Sequence, residues 1–201
     1  MYVCGASDGT VTVCTLRDDG HWDKQKLSAH KGGVNAVSWG PDVKTGALLA
    51  SASSITNLTI PRRFVSAGCD HTIRIWQQSN DDGTWTDISV SCFNHQDHSH
   101  QDWVRDVCWA PSLGLPANTI ASCSDDKTVI LWYEGVDGMW SKGRILKFDS
   151  GVWRVSWSVN GNVLAVSQGD QKVSLWKESA EGEWKRVSTD ITATDASQQQ
   201  S

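Results

Sequence analysis

Two sets of residues in this sequence have the side-chain types of a hydrolase site. Each set holds a His, a Ser and an Asp followed by a Trp: His30, Ser66, Asp70 and Trp76, and then His100, Ser122, Asp126 and Trp132. A Ser activated by a His that an Asp orients is suited to nucleophilic acyl transfer. A catalytic site occurs once in a domain, whereas the Ser-to-Asp and Asp-to-Trp spacings here are the same in both sets. We therefore predict two structural hydrogen-bond networks, no catalytic residue and a protein that is not an enzyme.

A second group has spacing typical of a metal site. Cys92, His95, His98 and His100 lie close together, and Cys and His at short spacing can bind zinc. His100 already belongs to one of the networks, and the residues between the histidines are typical of a loop. We expect neither a metal site nor a cofactor; an enzyme built on the three histidines would require stoichiometric metal.

The elements that position these residues come from a repeat. Four times an Asp is followed six residues later by a Trp, or once by a Cys, and the pairs are Asp8 and Cys14, Asp70 and Trp76, Asp126 and Trp132, and Asp170 and Trp176. Between the two residues of each pair lies an alternating stretch that is rich in β-branched residues, and this pattern predicts a strand. An acidic-Gly-x-Trp turn follows every time, at Asp19–Trp22, Asp82–Trp85, Asp137–Trp140 and Glu181–Trp184. Gly accepts positive φ in a hairpin turn, so each unit continues into an outer strand.

Two further strands precede the Asp in three of the units, for example Val104–Trp109 and Thr119–Ser122. Four antiparallel strands per repeat, with no convincing helix, predict an all-β chain that forms part of a β-propeller. We expect three full four-stranded blades, the end of a fourth, and an open ring. The predicted divisions are the end of a truncated blade at 1–28, a blade with a long loop (Pro41–Arg63) at 29–96, a blade at 97–148, a terminal blade at 149–190, and a disordered tail at 191–201.

The terminal blade departs from the network pattern. Phe148 stands where the His is expected and Val166 where the Ser is expected, while Asp170 and Trp176 persist. We therefore predict an incomplete network in that blade, as suits a repeat with altered neighbours.

Composition limits the classes of function. The net charge is −5 and the pI is near 5.6, which argues against nucleic acid as a direct ligand. No polybasic run or amphipathic helix favours direct membrane binding. The start, Met1–Cys4, is not a signal peptide, so we expect a cytosolic or nuclear protein. Because the chain opens in the middle of a blade, we also expect a truncated form of a longer propeller.

Specific segments carry a family resemblance. Residues 102–112, 119–124 and 152–178 closely resemble the last two blades of the small WD-repeat subunits of the COPII outer coat, and the resemblance runs from residue 1 to residue 188. It includes positions with no evident structural role, such as Arg105 and Lys177-Glu178. The resemblance implies a non-catalytic scaffold for ER-to-Golgi transport, whose six-bladed open propeller is completed by a blade from an α-solenoid coat subunit.

The same resemblance implies further assemblies and locations. Members of that family also pair with an α-solenoid nucleoporin of the Y-shaped nuclear-pore complex, and join a lysosomal complex that activates TOR signalling. The expected locations are the cytoplasm, COPII vesicles and the ER membrane through the coat, the nuclear envelope and the lysosomal membrane. A face of the terminal blade would meet the partner blade, and the candidate residues are Val152, Trp157, Leu164, Val166, Val173 and Leu175. The alternative is a different WD-repeat adaptor, such as one for cytosolic iron–sulfur protein assembly.

Overall fold

A computed structural model describes residues 1–41, 61–93, 99–111 and 118–187. Within these ranges the chain forms four antiparallel sheets that follow one another along the sequence. The first sheet has three strands: β1 (Tyr2–Gly5), β2 (Thr10–Leu16) and β3 (Trp22–Ser28). The second has four: β4 (Val34–Trp39), β5 (Arg63–Gly68), β6 (Ile73–Gln78) and β7 (Trp85–Asp87).

The third and fourth sheets repeat the four-stranded pattern. The third comprises β8 (Val104–Trp109), β9 (Thr119–Ser124), β10 (Thr128–Glu134) and β11 (Trp140–Lys147). The fourth comprises β12 (Val152–Trp157), β13 (Val163–Gln168), β14 (Val173–Glu178) and β15 (Trp184–Arg186). Every sheet is a meander in which sequential strands pair, which confirms the predicted all-β, partial and open β-propeller.

The cores lie between successive sheets rather than within them. Val11 and Val13 of the first sheet pack with Phe64 and Trp76 of the second. A further cluster joins the second sheet to the third, and another joins the third to the fourth. Alternation along each middle strand explains this layering, since successive side chains point to opposite faces of the sheet. Each inner sheet is therefore covered on both faces.

The hairpin turns are as predicted. The glycines of the four acidic-Gly-x-Trp turns have φ values of 83°, 70°, 75° and 76°, in the left-handed region that favours Gly. The residues are Gly20, Gly83, Gly138 and Gly182.

The expectation of no helix was wrong at one place. Ser89–Cys92 forms a single helical turn, α1. The Asp87 carboxylate accepts the Ser89 backbone N–H at 2.9 Å, and the Ser89 hydroxyl accepts the Ile75 backbone N–H at 2.8 Å. These side-chain bonds replace a strand ladder, so the outer strand β7 ends early and turns inward. The turn brings Phe93 against the ring of Trp132, with ring centroids 5.4 Å apart.

The predicted divisions of the chain remain predictions. Most of the Pro41–Arg63 loop, at 42–60, and the expected tail at 191–201 lie outside the described residues.

Candidate functional site

The second sheet holds the first predicted network. His30, in the segment before β4, places Nδ1 at 2.8 Å from an Asp70 carboxylate oxygen and Nε2 at 2.9 Å from the Ser66 hydroxyl. The Trp76 indole N–H donates to the same hydroxyl at 3.0 Å. Asp70 sits in the turn between β5 and β6 and also accepts the Lys31 backbone N–H. The turn, the two central strands and the incoming segment are thereby tied together at one point.

The third sheet repeats the arrangement. His100 Nδ1 lies 2.9 Å from Asp126, and Nε2 lies 2.8 Å from the Ser122 hydroxyl. The Trp132 indole N–H donates to Ser122 at 2.9 Å. The Thr128 backbone N–H and hydroxyl both donate to the Asp126 carboxylate. The same geometry thus occurs in two successive blades.

The proton on each ring follows from these partners. A carboxylate only accepts, so the His100 Nδ1 carries the hydrogen that faces Asp126, and a ring with that single hydrogen accepts at Nε2. The Ser122 hydroxyl therefore donates to His100 and accepts from Trp132. This is the hydrogen-bond order of a hydrolytic triad, but Ser66 and Ser122 are fully buried and each hydroxyl is occupied by an indole. A nucleophile needs a substrate within reach, so the arrangement supports a structural role for both sets.

Both carboxylates are held in the charged form. Burial by itself would raise the pKa of Asp70 and of Asp126. The hydrogen bond from the facing His, together with backbone N–H and Thr donors, outweighs burial and holds each pKa well below its usual value. The ionised Asp is therefore the anchor of each network.

In the fourth sheet, different residues stand at the network positions, and the Trp indole N–H has a different acceptor. Phe148 occupies the His position, and its ring packs edge-on against Trp176 with ring centroids 5.6 Å apart. Val166 occupies the Ser position and is fully buried. The Trp176 indole N–H donates instead to the hydroxyl of Ser174, two residues earlier on the same strand, at 3.0 Å. Sequence reasoning missed Ser174. The sequence did hold a signal for it, because Ser174 stands two residues before the Trp, where the other sheets have Arg74 and Ile130, and this sheet lacks the usual network Ser.

Asp170 keeps the turn function. Its carboxylate accepts the Lys172 backbone N–H at 3.3 Å and pairs with the Lys172 ammonium at 2.7 Å. The hydrogen bond from Lys172 is the main reason that the pKa of Asp170 is lowered.

The six residues proposed for a partner-blade face do not share one face. Val152, Leu164 and Val166 are fully buried in the cluster with the third sheet, and Trp157 packs against that cluster. The strand register shows why, since Trp157 pairs with Leu164 and Leu164 pairs with Trp176, which puts these side chains on the inner face. For these four residues the assignment to a partner face was wrong.

The opposite face of the fourth sheet has a different membership. Leu175 pairs with Ala165, and Val173 pairs with Ser167. These four residues are half-buried, and alternation puts them away from the cluster with the third sheet. We call Ala165, Ser167, Val173 and Leu175 the outer face of the fourth sheet.

The residues with metal-like spacing have different surroundings. His95 and His98 lie outside the described residues. Burial raises the pKa of the Cys92 thiol to about 12, which disfavours the thiolate that zinc requires. His100 is bound to Ser122 and Asp126. Within the described ranges, no three His, Cys, Asp or Glu side chains are grouped to hold a metal ion.

A repeated β-sheet unit with an internal His-Ser-Asp-Trp network defines a class of propeller proteins. The family model for the WD domain, G-beta repeat, matches residues 21–77, 90–133 and 142–177, more than half of the chain. The chain belongs to this WD40 family.

Several curated proteins similar to this chain carry the name Sec13. The chain is 45% identical over 157 residues to the human "Protein SEC13 homolog", covering 77% of this chain and 46% of that protein. It is 41% identical over 165 residues to the Drosophila melanogaster homolog, covering 79% and 43%, respectively. It is 41% identical over 180 residues to the "Protein transport protein SEC13" of Mycosarcoma maydis, covering 79% and 48%. The chain thus spans just under half the length of these relatives, and its resemblance is to Sec13-type WD-repeat proteins.

No described helix has the length and apolar character needed to cross a membrane.

Proposed function

We propose that this chain acts as a WD-repeat scaffold subunit in protein transport, as part of the outer cage of the COPII coat. The main support is the similarity to Sec13 homologues at 41–45% identity over more than three quarters of the chain, several of which are named for protein transport. The two His-centred networks are buried and saturated, which favours rigidity over chemistry as the contribution of the fold.

The proposed mechanism is completion of the propeller by a partner. An α-solenoid coat subunit supplies a further blade, which packs on the outer face of the fourth sheet. That face carries Val173 and Leu175 at half-buried positions, and each inner sheet of this protein is covered by a neighbour on both sides. Covering the face would continue the packing rule that the chain already follows.

The same surface serves the other assemblies that we propose for the chain. These are the nuclear-pore Y-complex, through an α-solenoid nucleoporin with a role in mRNA transport, and the lysosomal complex that activates TOR signalling. The corresponding locations are COPII vesicles and the ER membrane, the nuclear envelope and the lysosomal membrane, in each case through the protein partner.

The experiment is affinity purification of the tagged chain from cells of its source, with mass spectrometry of the bound proteins. We expect an α-solenoid protein in about equal amount to the chain. Leu175→Asp should remove that protein, because it places a charge on the outer face of the fourth sheet. Ile145→Asp is the matched control, since Ile145 is 48% exposed on the outer strand of the third sheet. Recovery of chaperones alone, or equal recovery with both variants, would contradict the proposal.

A further inference from the structure

The innermost strands of successive sheets are joined by side chains. From β4 to β8, the Asn35 amide donates to the Val104 carbonyl at 2.8 Å, and the Ser38 hydroxyl accepts the Trp109 backbone N–H at 3.1 Å. These bonds satisfy backbone groups on the strand edge that has no partner within its own sheet.

The junction from β8 to β12 is built in the same way. The Asp106 carboxylate accepts the Val155 backbone N–H at 3.2 Å. In both junctions, a side chain on one strand accepts the N–H that lies one position further along the next strand. Ser38, the fifth residue of β4, meets Trp109, the sixth residue of β8, and Asp106, the third residue of β8, meets the fourth residue of β12.

On β12 the third and fifth positions hold Arg154 and Ser156. The strand registers show that these positions are equivalent to those of Asp106 and Ser38. Arg154 pairs with Ser167 just as Asp106 pairs with Cys123. Ser156 pairs with Ala165 just as Ser38 pairs with Val65. Both residues are exposed, and the register places them beside Ser167 and Ala165 of the outer face, while the Arg154 guanidinium turns back towards Asp106 of the third sheet. Ser156 repeats the residue type of Ser38, whereas Arg154 replaces an acceptor with a cation.

The Arg154 guanidinium is 74% exposed, and its ion contact within the described ranges is Asp106 at 4.0 Å. That carboxylate already accepts the Val155 and Val107 backbone N–H groups. A cavity of about 390 Å³, lined by Asn35, Arg105, Trp153 and Arg154, adjoins the guanidinium. Arg105 is paired with Asp125 at 2.8 Å, whereas the ion contact of Arg154 in the described residues is the more distant Asp106 at 4.0 Å.

We propose that Arg154 and Ser156 select the partner strand that adjoins β12. Ser156 accepts a backbone N–H of that strand, and Arg154 binds an Asp or Glu side chain that the strand presents two positions earlier. A Lys or Arg there would be repelled, so the pair sets both the register and the charge of the strand. This inference rests on the proposed function, because the strand is taken to be the innermost strand of the blade that the partner supplies.

The first test maps the contact directly. The photo-crosslinking amino acid benzoylphenylalanine replaces Ser156 in the full chain, and adducts formed in cells are sequenced by mass spectrometry. The same replacement at Val159, 82% exposed in the following turn, is the control. We expect the adduct at position 156 to map to a β-strand of the partner with an acidic residue two positions before the adduct.

The second test measures selection. Arg154→Glu should weaken partner capture roughly tenfold or more, as expected when a charged interface pair is reversed. Ser156→Val should weaken capture less, and Arg144→Glu, a charge reversal on the exposed outer strand β11, should leave it unchanged. Changing the mapped acidic residue of the partner to Lys should restore binding to Arg154→Glu. Thermal unfolding of each variant establishes that the chain still folds.

The outcomes separate the two claims. Capture of an α-solenoid without an adduct at position 156, or with equal loss in Arg154→Glu and Arg144→Glu, overturns the inference and leaves the proposed function standing. A strand adduct to a protein of another architecture overturns the proposed function and supports the inference. Neither capture nor adduct overturns both.

Discussion

The third and fourth sheets contain the same strands in the same order, yet they satisfy their central tryptophans differently. In the third sheet, Trp132 is fully buried and its indole N–H enters a network with Ser122, His100 and Asp126. In the fourth, Trp176 is half-buried and its indole N–H reaches Ser174 on its own strand.

The difference follows from how deeply each indole is buried against the preceding sheet. Trp132 is fully buried between the second and third sheets, where an indole N–H without a partner would be costly, and the Ser122 hydroxyl supplies that partner. Trp176 also lies on the inner face of its sheet, towards the third sheet, but it is only half-buried there, and a hydroxyl two residues earlier on its own strand is enough for its indole N–H. The indole N–H is therefore bound by a network where burial is complete and by a local hydroxyl where burial is partial. Removing the network should cost more free energy of unfolding than removing the local bond.

The largest expected effect comes from removing the two tryptophans. Trp132→Ala should lower the free energy of unfolding by about 3–5 kcal/mol, because it leaves a large cavity between two sheets. Trp176→Ala should cost about 1–2 kcal/mol, since this side chain is half-buried and the site can collapse towards solvent. Urea-induced unfolding followed by circular dichroism measures both, and equal losses would contradict the comparison.

A smaller effect should come from removing the two hydroxyl acceptors. Ser122→Val leaves the Trp132 indole N–H and the His100 Nε2 without their partner in a dry site, at a cost of about 1–3 kcal/mol. Ser174→Val should cost less than about 1 kcal/mol, because the half-buried indole of Trp176 can find water. The same unfolding assay applies, and Ser122→Ala serves as the control that removes the hydroxyl with a smaller change of volume. A larger loss for Ser174→Val would reverse the comparison.

The smallest expected effect is on how folding stability falls at low pH. A carboxyl with a lowered folded-state pKa contributes stability that is complete above its unfolded pKa, about 4, and is lost as the pH falls towards the folded value. The pKa of Asp126 is lowered despite burial, so wild-type protein should lose stability steadily below about pH 4. Asp126→Asn should reduce that loss, as well as lowering stability at neutral pH.

Asp170→Asn provides the contrast within the fourth sheet. The pKa of Asp170 is lowered chiefly by Lys172 at an exposed site, so its acid contribution should be small and should shrink with added salt. Chemical unfolding at a series of pH values between 2 and 7 compares the two variants. An acid slope unchanged by Asp126→Asn would contradict the role of the ionised anchor.

Much of the fold could be predicted because local signals agreed. The Asp-Gly turns fixed the hairpins, and the regular spacing of Asp and Trp fixed the unit. The helical turn at Ser89–Cys92 escaped prediction, since it depends on Ser89 reaching the Ile75 backbone across the sheet. Nothing in a window around Ser89 records that contact.

The candidate site shows the same limit. Alternation divides β13 into two faces, but it does not say which face meets the preceding sheet, so Leu164 and Val166 were assigned to a partner. The packing of Val152 and Val155 beside them decides the matter. Arg154 and Ser156 likewise acquire meaning only once the bonds of Ser38 and Asp106 to the neighbouring strands are known.

One-sided packing of the fourth sheet also has a consequence for the lifetime of the protein. Stability in a stack of sheets is a sum of neighbour contacts, so among the described residues the first and fourth sheets, with one neighbour each, should open more often than the second and third, which have two. Amide hydrogens of β13 and β14 should exchange faster than those of β9 and β10 for as long as the outer face is uncovered. Proteases act on such open states. The partner that we propose would, by covering the sheet, slow turnover, and the amount of this protein in a cell would then follow the supply of that partner.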